Sequence, residues 1–366
     1  MTMDSGMHKH TLLATLIAAS VCACGGGGSS SSGGGEEPDT GLEDALRLII
    51  DDAVLNAVER FSTQTATLNS RSETFCDALS TDNLDALQTS WKATQMEWFA
   101  LANYNFGPLN DDLVFPKYTF IDSLRLRGTN YLESVRTRIA DNIANDVTLD
   151  AAYFNTQTFQ HVGLLALESA IFETAAAEHG QDLGDIVAEY NESPRKCEIL
   201  TGLAEHLQAQ SDYVQNGWTQ DHKGTGFPYR TLFLAGELDD GTEPVVQLIV
   251  AVQQHLDYLQ KRSVVTQSAQ LAGNAWESMS SAIDNIDAML QIDNPDAPSF
   301  FDVMTSRGLD TSVQTVQQNI AAIRQAISDR DAAMLEIELG KLDGNFKREI
   351  PDGLGVVLGI NFSDGD

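Results

Sequence analysis

Residues 84–101, LDALQTSWKATQMEWFAL, place Leu84, Leu87, Trp91, Trp98 and Leu101 at steps of three, four, seven and three. Apolar residues at that spacing share one face of a 3.6-residue helix, whereas a strand needs strict alternation. The pattern recurs. Leu46, Ile49, Ile50, Leu55, Val58 and Phe61 form a second stripe, Leu200, Leu203, Leu207, Val214 and Trp218 a third, and Val313, Val316, Ile320, Ile323 and Ile327 a fourth. Period-two alternation is nearly absent. One-faced stripes separated by short breaks predict an all-α protein of antiparallel helices in bundles.

The breaks fall at Gly107-Pro108, Phe115-Pro116, Ser193-Pro194, Asp221 to Pro244 and Asn294 to Ser299, each rich in residues that punctuate helices. The longest sets the expected boundary: an N-terminal helical bundle over 41–222, a linker over 223–244 and a C-terminal bundle over 245–366. Gly353, Gly355 and Gly359 argue against a helix at the chain's end. A short extended segment lying in a groove is expected there.

The N-terminus reads as an address. Lys9 precedes an apolar stretch from Leu12 to Val21, too short to cross a bilayer, which needs roughly 20 residues, and so read as a cleaved signal over 1–23. Ala23 before Cys24 is the small residue a lipoprotein signal peptidase requires, which makes Cys24 the expected lipid acceptor. Residues 25–35 are only Gly and Ser, so 24–40 is expected to be a flexible tether. Gly25 after the cysteine favours the outer membrane of a Gram-negative envelope, and the lipid is the expected contact with that membrane.

The chain carries 53 acidic against 22 basic side chains, a net charge of -31. A body this acidic repels nucleic acid, so no nucleic-acid partner is expected. Beyond Cys24 only Cys76 and Cys197 remain after the signal. In an oxidising compartment they are either bridged or two buried free thiols.

No phosphate loop, Gly-x-Ser-x-Gly elbow, His-Glu-x-x-His pair or Cys-x-x-Cys site is present. One segment is chemically unusual: QHVGLLALESAIFE from Gln160 sets His161, Gly163 and Glu168 in an almost wholly apolar run. A buried carboxylate is costly unless paired, protonated or on a metal. His161 and Glu168 lie seven residues apart, roughly 10 Å along a helix, too far to chelate one ion directly.

Several stretches together resemble the imelysin-like proteins, periplasmic or lipid-anchored proteins linked to iron uptake and named after an insulin-cleaving membrane protease. These are Cys76, Trp91 to Trp98 with Phe106-Gly107-Pro108, Gly163 to Phe172, Arg195-x-Cys197, Trp218 and the closing LGVVLGINFSDGD. The resemblance implies two helical bundles side by side and a site between them. The family's mark, Gly-x-His-x-x-Glu, falls on Gly163 to Glu168, and the histidine's place is taken by Leu165. Leucine has no lone pair, so it neither ligates a metal nor moves a proton. A second family segment, Trp-x-Ser-x-x-Ser, falls on Trp276, Ser278 and Ser281, with Ser280 where an arginine is expected.

The resemblance therefore implies a ligand-binding cleft of Gly163, Glu168, Ser278 and Ser281, with Glu168 the candidate metal ligand and a divalent metal such as iron the candidate cofactor. No catalytic residue is assigned. The expectation is a surface-tethered accessory lipoprotein working with iron-acquisition proteins of the envelope and leaning away from enzymatic activity. The alternatives are an imelysin-type metallopeptidase and a structural envelope lipoprotein.

Overall fold

The computed structural model describes residues 40–125, 128–174, 182–238 and 241–358. Cys24, its tether and the last eight residues lie outside the described residues, so the signal, the lipid acceptor and most of the C-terminal segment are not seen. Residues 39–366 form one compact unit, and the described residues contain helices and no strand.

The apolar stripes decide what is inside. Leu84, Leu87, Trp91, Trp98 and Leu101 are all buried on the helix Thr81–Leu101, which starts where Ser80 Oγ accepts the Asn83 N–H at 3.2 Å. That side-chain cap satisfies an amide the first turn leaves orphaned. The preceding stripe is less regular. Helices Thr40–Ile49 and Leu55–Asp77 are continuous through a π-turn over Ile50–Val54, which buries Ile50, Ala53 and Val54 together.

Leu55–Asp77 packs chiefly on Thr81–Leu101 and on Arg195–Thr219. Cys76 and Cys197 join two of these helices in a disulfide, with Cα atoms 5.6 Å apart. Among the later helices, Ala332–Lys347 packs on Pro244–Lys261 and on Asp310–Asp329. Thr81–Leu101 lies against Ala275–Leu290 and so links the two sets.

Two expectations need correction. The stretch 223–244 is not bare linker: it contains the helix Tyr229–Leu234, with Tyr229 and Phe233 buried. Their rings pack at 4.9 Å from Trp218 and 5.1 Å from Phe106, and burying two aromatic side chains outweighs the local glycines. At the other end, Gly353 and Leu354 belong to a helix, Glu349–Leu354, which closes on Gly355 at φ +65°. Only there does the chain leave helix, because a left-handed cap suits glycine. Val356 is then buried while Val357 is exposed.

Candidate functional site

The helix Gly163–Phe172 is apolar on nearly every side and almost wholly buried, so its one carboxyl, Glu168, enters the interior with it. Gly163 sets the start of that helix. Its φ is +76°, and a Cβ there would lie 2.4 Å from the Phe120 carbonyl oxygen and 2.5 Å from that of Ile121. Only a residue without a side chain lets the two backbones meet so closely. The contact brings Asp122 alongside the helix that carries Glu168.

Glu168 Oε1 accepts two backbone N–H groups, from Leu271 at 2.8 Å and Ala272 at 2.9 Å. These bonds favour the carboxylate, but burial outweighs them and pushes the group up to about 7. The carboxyl lines a cavity of about 20 Å³ together with Gln95, Trp98, Asp122, Leu165 and Ser268. Room of that size holds roughly one water molecule. Gln95 donates to Ser268 Oγ at 2.8 Å, and its Oε1 is buried without a partner.

A second buried polar group adjoins the cavity. Asp122 Oδ2 accepts from Trp98 Nε1 at 3.1 Å and from the Tyr258 hydroxyl at 3.2 Å, while Oδ1 accepts from the Leu124 N–H at 3.1 Å. Burial raises its carboxyl, opposed by these bonds and by the charge of Arg125. Arg125 Nη1 lies 2.5 Å from His255 Nδ1, and its guanidinium sits 5.4 Å from the Tyr258 ring centre. Burial and that arginine hold His255 well below its ordinary value, so its Nδ1 accepts from the guanidinium as a neutral imidazole.

The sequence profile of imelysin, peptidase family M75, matches residues 54–350. The chain belongs to the imelysin family. An imelysin-like protein from Psychrobacter arcticum 273-4 shares the fold at a TM-score of 0.65 and 15% identity, over 88% of this chain and 98% of that one. A putative iron-regulated protein A precursor from Parabacteroides distasonis ATCC 8503 shares it at a TM-score of 0.53 and 14% identity, over 88% and 97%. No curated protein matches the chain.

Within the imelysin fold the four residues expected to share a cleft separate. Gly163 and Glu168 belong to one helix, and only Glu168 lines the small cavity. Ser278 is fully buried, its Oγ donating to the Asn274 carbonyl of its own helix at 3.0 Å. Ser281 lines a different, open groove of about 540 Å³ with Asp52, Arg60, Glu97 and Asp284. His161 is also apart: its Nε2 lies 2.8 Å from Ser134 Oγ. Leu165 does line the Glu168 cavity.

Among the described residues no three His, Cys, Asp or Glu side chains converge as a metal site would require. A zinc hydrolase centre normally takes three protein ligands, so the residues present do not fit one. Sequence reading missed Asp122, Arg125, His255 and Gln95. His255 left a signal, since it shares the apolar face of its helix with Leu248, Val252 and Leu259. Asp122 and Arg125 left none.

Proposed function

We propose that this imelysin is a non-catalytic binding or accessory lipoprotein of bacterial iron acquisition, tethered to the outer membrane through Cys24. The observation that carries the reading is Leu165. It removes the one nitrogen donor of the family motif from a cavity whose remaining strong candidate ligands are two carboxyls, Glu168 and Asp122, short of the three a zinc hydrolase takes. The cavity also has room for a water but not for a peptide, and small-molecule sites usually occupy some hundreds of Å³.

Two further points support it. The acidic body suits cations and an extracytoplasmic setting, and the Parabacteroides protein of the same fold is described as iron-regulated. The test is growth of a strain lacking the gene on medium depleted of iron by a chelator. Slower growth, restored by the wild-type gene and not by a Cys24→Ser version, is expected. Growth unaffected by the deletion removes the iron assignment. Release of peptides from casein by the purified protein, abolished in Glu168→Gln, would establish the metallopeptidase alternative instead.

A further inference from the structure

An open groove of about 480 Å³ lies beside the Glu168 cavity, and the two share Ser268 and Ala269 in their walls. Its volume is that of a small-molecule site, which usually runs to some hundreds of Å³. In a chain with 53 acidic side chains, none of the described residues lining this groove is acidic, and Arg330 is its one charge. Val265, Ala275 and the half-buried Trp276 supply an apolar wall.

Arg330 holds an unfavourable backbone to stand there. It follows the helix Asp310–Asp329 at φ +52°, and Ala269 sits at φ +50°. Two of the four non-glycine residues with left-handed backbone among the described residues therefore line this one groove. A left-handed helix cap ordinarily takes glycine or asparagine, and strain of this kind clusters where ligands are clamped. The pair with Glu277, Nη2 to Oε1 at 3.0 Å, does not account for it, because both groups are exposed and such pairs add little stability. The Nε and Nη1 donors of Arg330 stay uncommitted.

The neighbouring polar side chains are engaged within the protein. Thr266 Oγ1 donates to the Ser263 carbonyl at 2.9 Å, Gln270 Nε2 donates to the Thr266 carbonyl at 2.8 Å, and Gln270 Oε1 accepts from Asn130 Nδ2 at 3.2 Å. The Trp276 indole N–H has no partner among the described residues. The groove therefore offers a ligand chiefly donors, from a guanidinium and an indole that cannot accept.

A ligand matched to these groups carries a charged acceptor, since a guanidinium pairs most strongly with a carboxylate. It carries one charge rather than several, because Arg330 is the only cation lining the groove and the net charge of -31 repels polyanions. Trp276, Val265 and Ala275 call for an apolar body. We propose that this groove binds a small organic monoanion, with Arg330 holding its carboxylate and Trp276 its apolar body. The site lies outside the four residues that the family resemblance grouped, and it does not rest on the iron assignment. A ligand seated there touches Ser268 and Ala269, the wall shared with the Glu168 cavity.

The test is isothermal titration of the purified full chain with naphthoate, beside naphthylmethylammonium and inorganic phosphate. Naphthoate should bind once per chain, about tenfold or more tightly than either of the others, and added salt should weaken it. Arg330→Gly removes the guanidinium and suits the left-handed backbone, so affinity should fall about tenfold or more while the melting temperature holds or rises. Naphthoate should also slow hydrogen exchange over residues 264–276 in wild type and not in Arg330→Gly.

Naphthoate binding that survives Arg330→Gly places the anion elsewhere and overturns the proposal. An ammonium bound as tightly as naphthoate overturns the charge preference, and phosphate bound as tightly overturns the role of the apolar wall. Heat from naphthoate that shows no saturation overturns the site outright. None of these titrations involves iron, so the accessory role stands or falls on the growth test alone.

Discussion

Replacing Glu168 by glutamine removes a carboxyl whose ionisation the fold opposes. The unfolded chain releases this proton near 4.5, whereas burial holds the native group up to about 7. Between those values the native state binds more protons, so stability is fully present below about pH 4.5 and is lost as pH rises through 7. The difference of about 2.5 units corresponds to about 3 kcal/mol at pH 8. Glutamine keeps an oxygen to accept the Leu271 and Ala272 N–H groups and carries no charge to bury. Urea unfolding should therefore find Glu168→Gln and wild type equal near pH 4.5 and the variant more stable by up to about 3 kcal/mol at pH 8. A pH-independent difference, or a variant weaker than wild type at pH 8, would falsify the assignment of burial as the dominant influence on Glu168.

Gly163→Ala should destabilise the protein by about 3 kcal/mol or more, because the new methyl meets the Phe120 carbonyl at a left-handed φ. Tryptophan emission should change with it as the Asp122–Trp98 bond is displaced, and an unchanged melting temperature would refute the close approach. Cys76→Ser with Cys197→Ser opens a loop of 121 residues and should lower the unfolding free energy by about 2–5 kcal/mol. Matching loss on reduction of the wild-type protein, read by circular dichroism melts, would identify that bond as the cause.

Much of the fold was legible because helical periodicity reports which face is buried. Leu200, Leu203, Leu207, Val214 and Trp218 lie inside as their spacing requires, and the stripe ending at Ile327 loses only that last residue to partial exposure. What escaped was decided by contacts distant in sequence. The glycines around 224–241 suggested a linker, yet Tyr229 and Phe233 are held by Trp218 and Phe106.

The site was legible in part for the same reason. Gly163 and Glu168 share one helix, so a local motif could flag both. Asp122 and Arg125 sit in short turns without periodicity, and His255 reaches Arg125 across 130 residues. Ser278 and Ser281 were grouped by the family resemblance, but Ser278 lies at the edge of its helix's buried face and the roughly 60° offset of three residues leaves Ser281 in an open groove.

The central claim is that Leu165 in place of the motif's histidine leaves the Glu168 cavity without a metal centre. Leu165 and Glu168 line the same cavity three residues apart, so a histidine at 165 stands within reach of an ion held by Glu168. The direct measurement is isothermal titration of a divalent transition metal into wild type, Leu165→His, and Leu165→His with Glu168→Gln. The account predicts weak binding by wild type, at least tenfold tighter binding by Leu165→His, and loss of that gain when Glu168 is also replaced. Tight binding by wild type that survives Glu168→Gln would contradict it and place the metal elsewhere in the molecule.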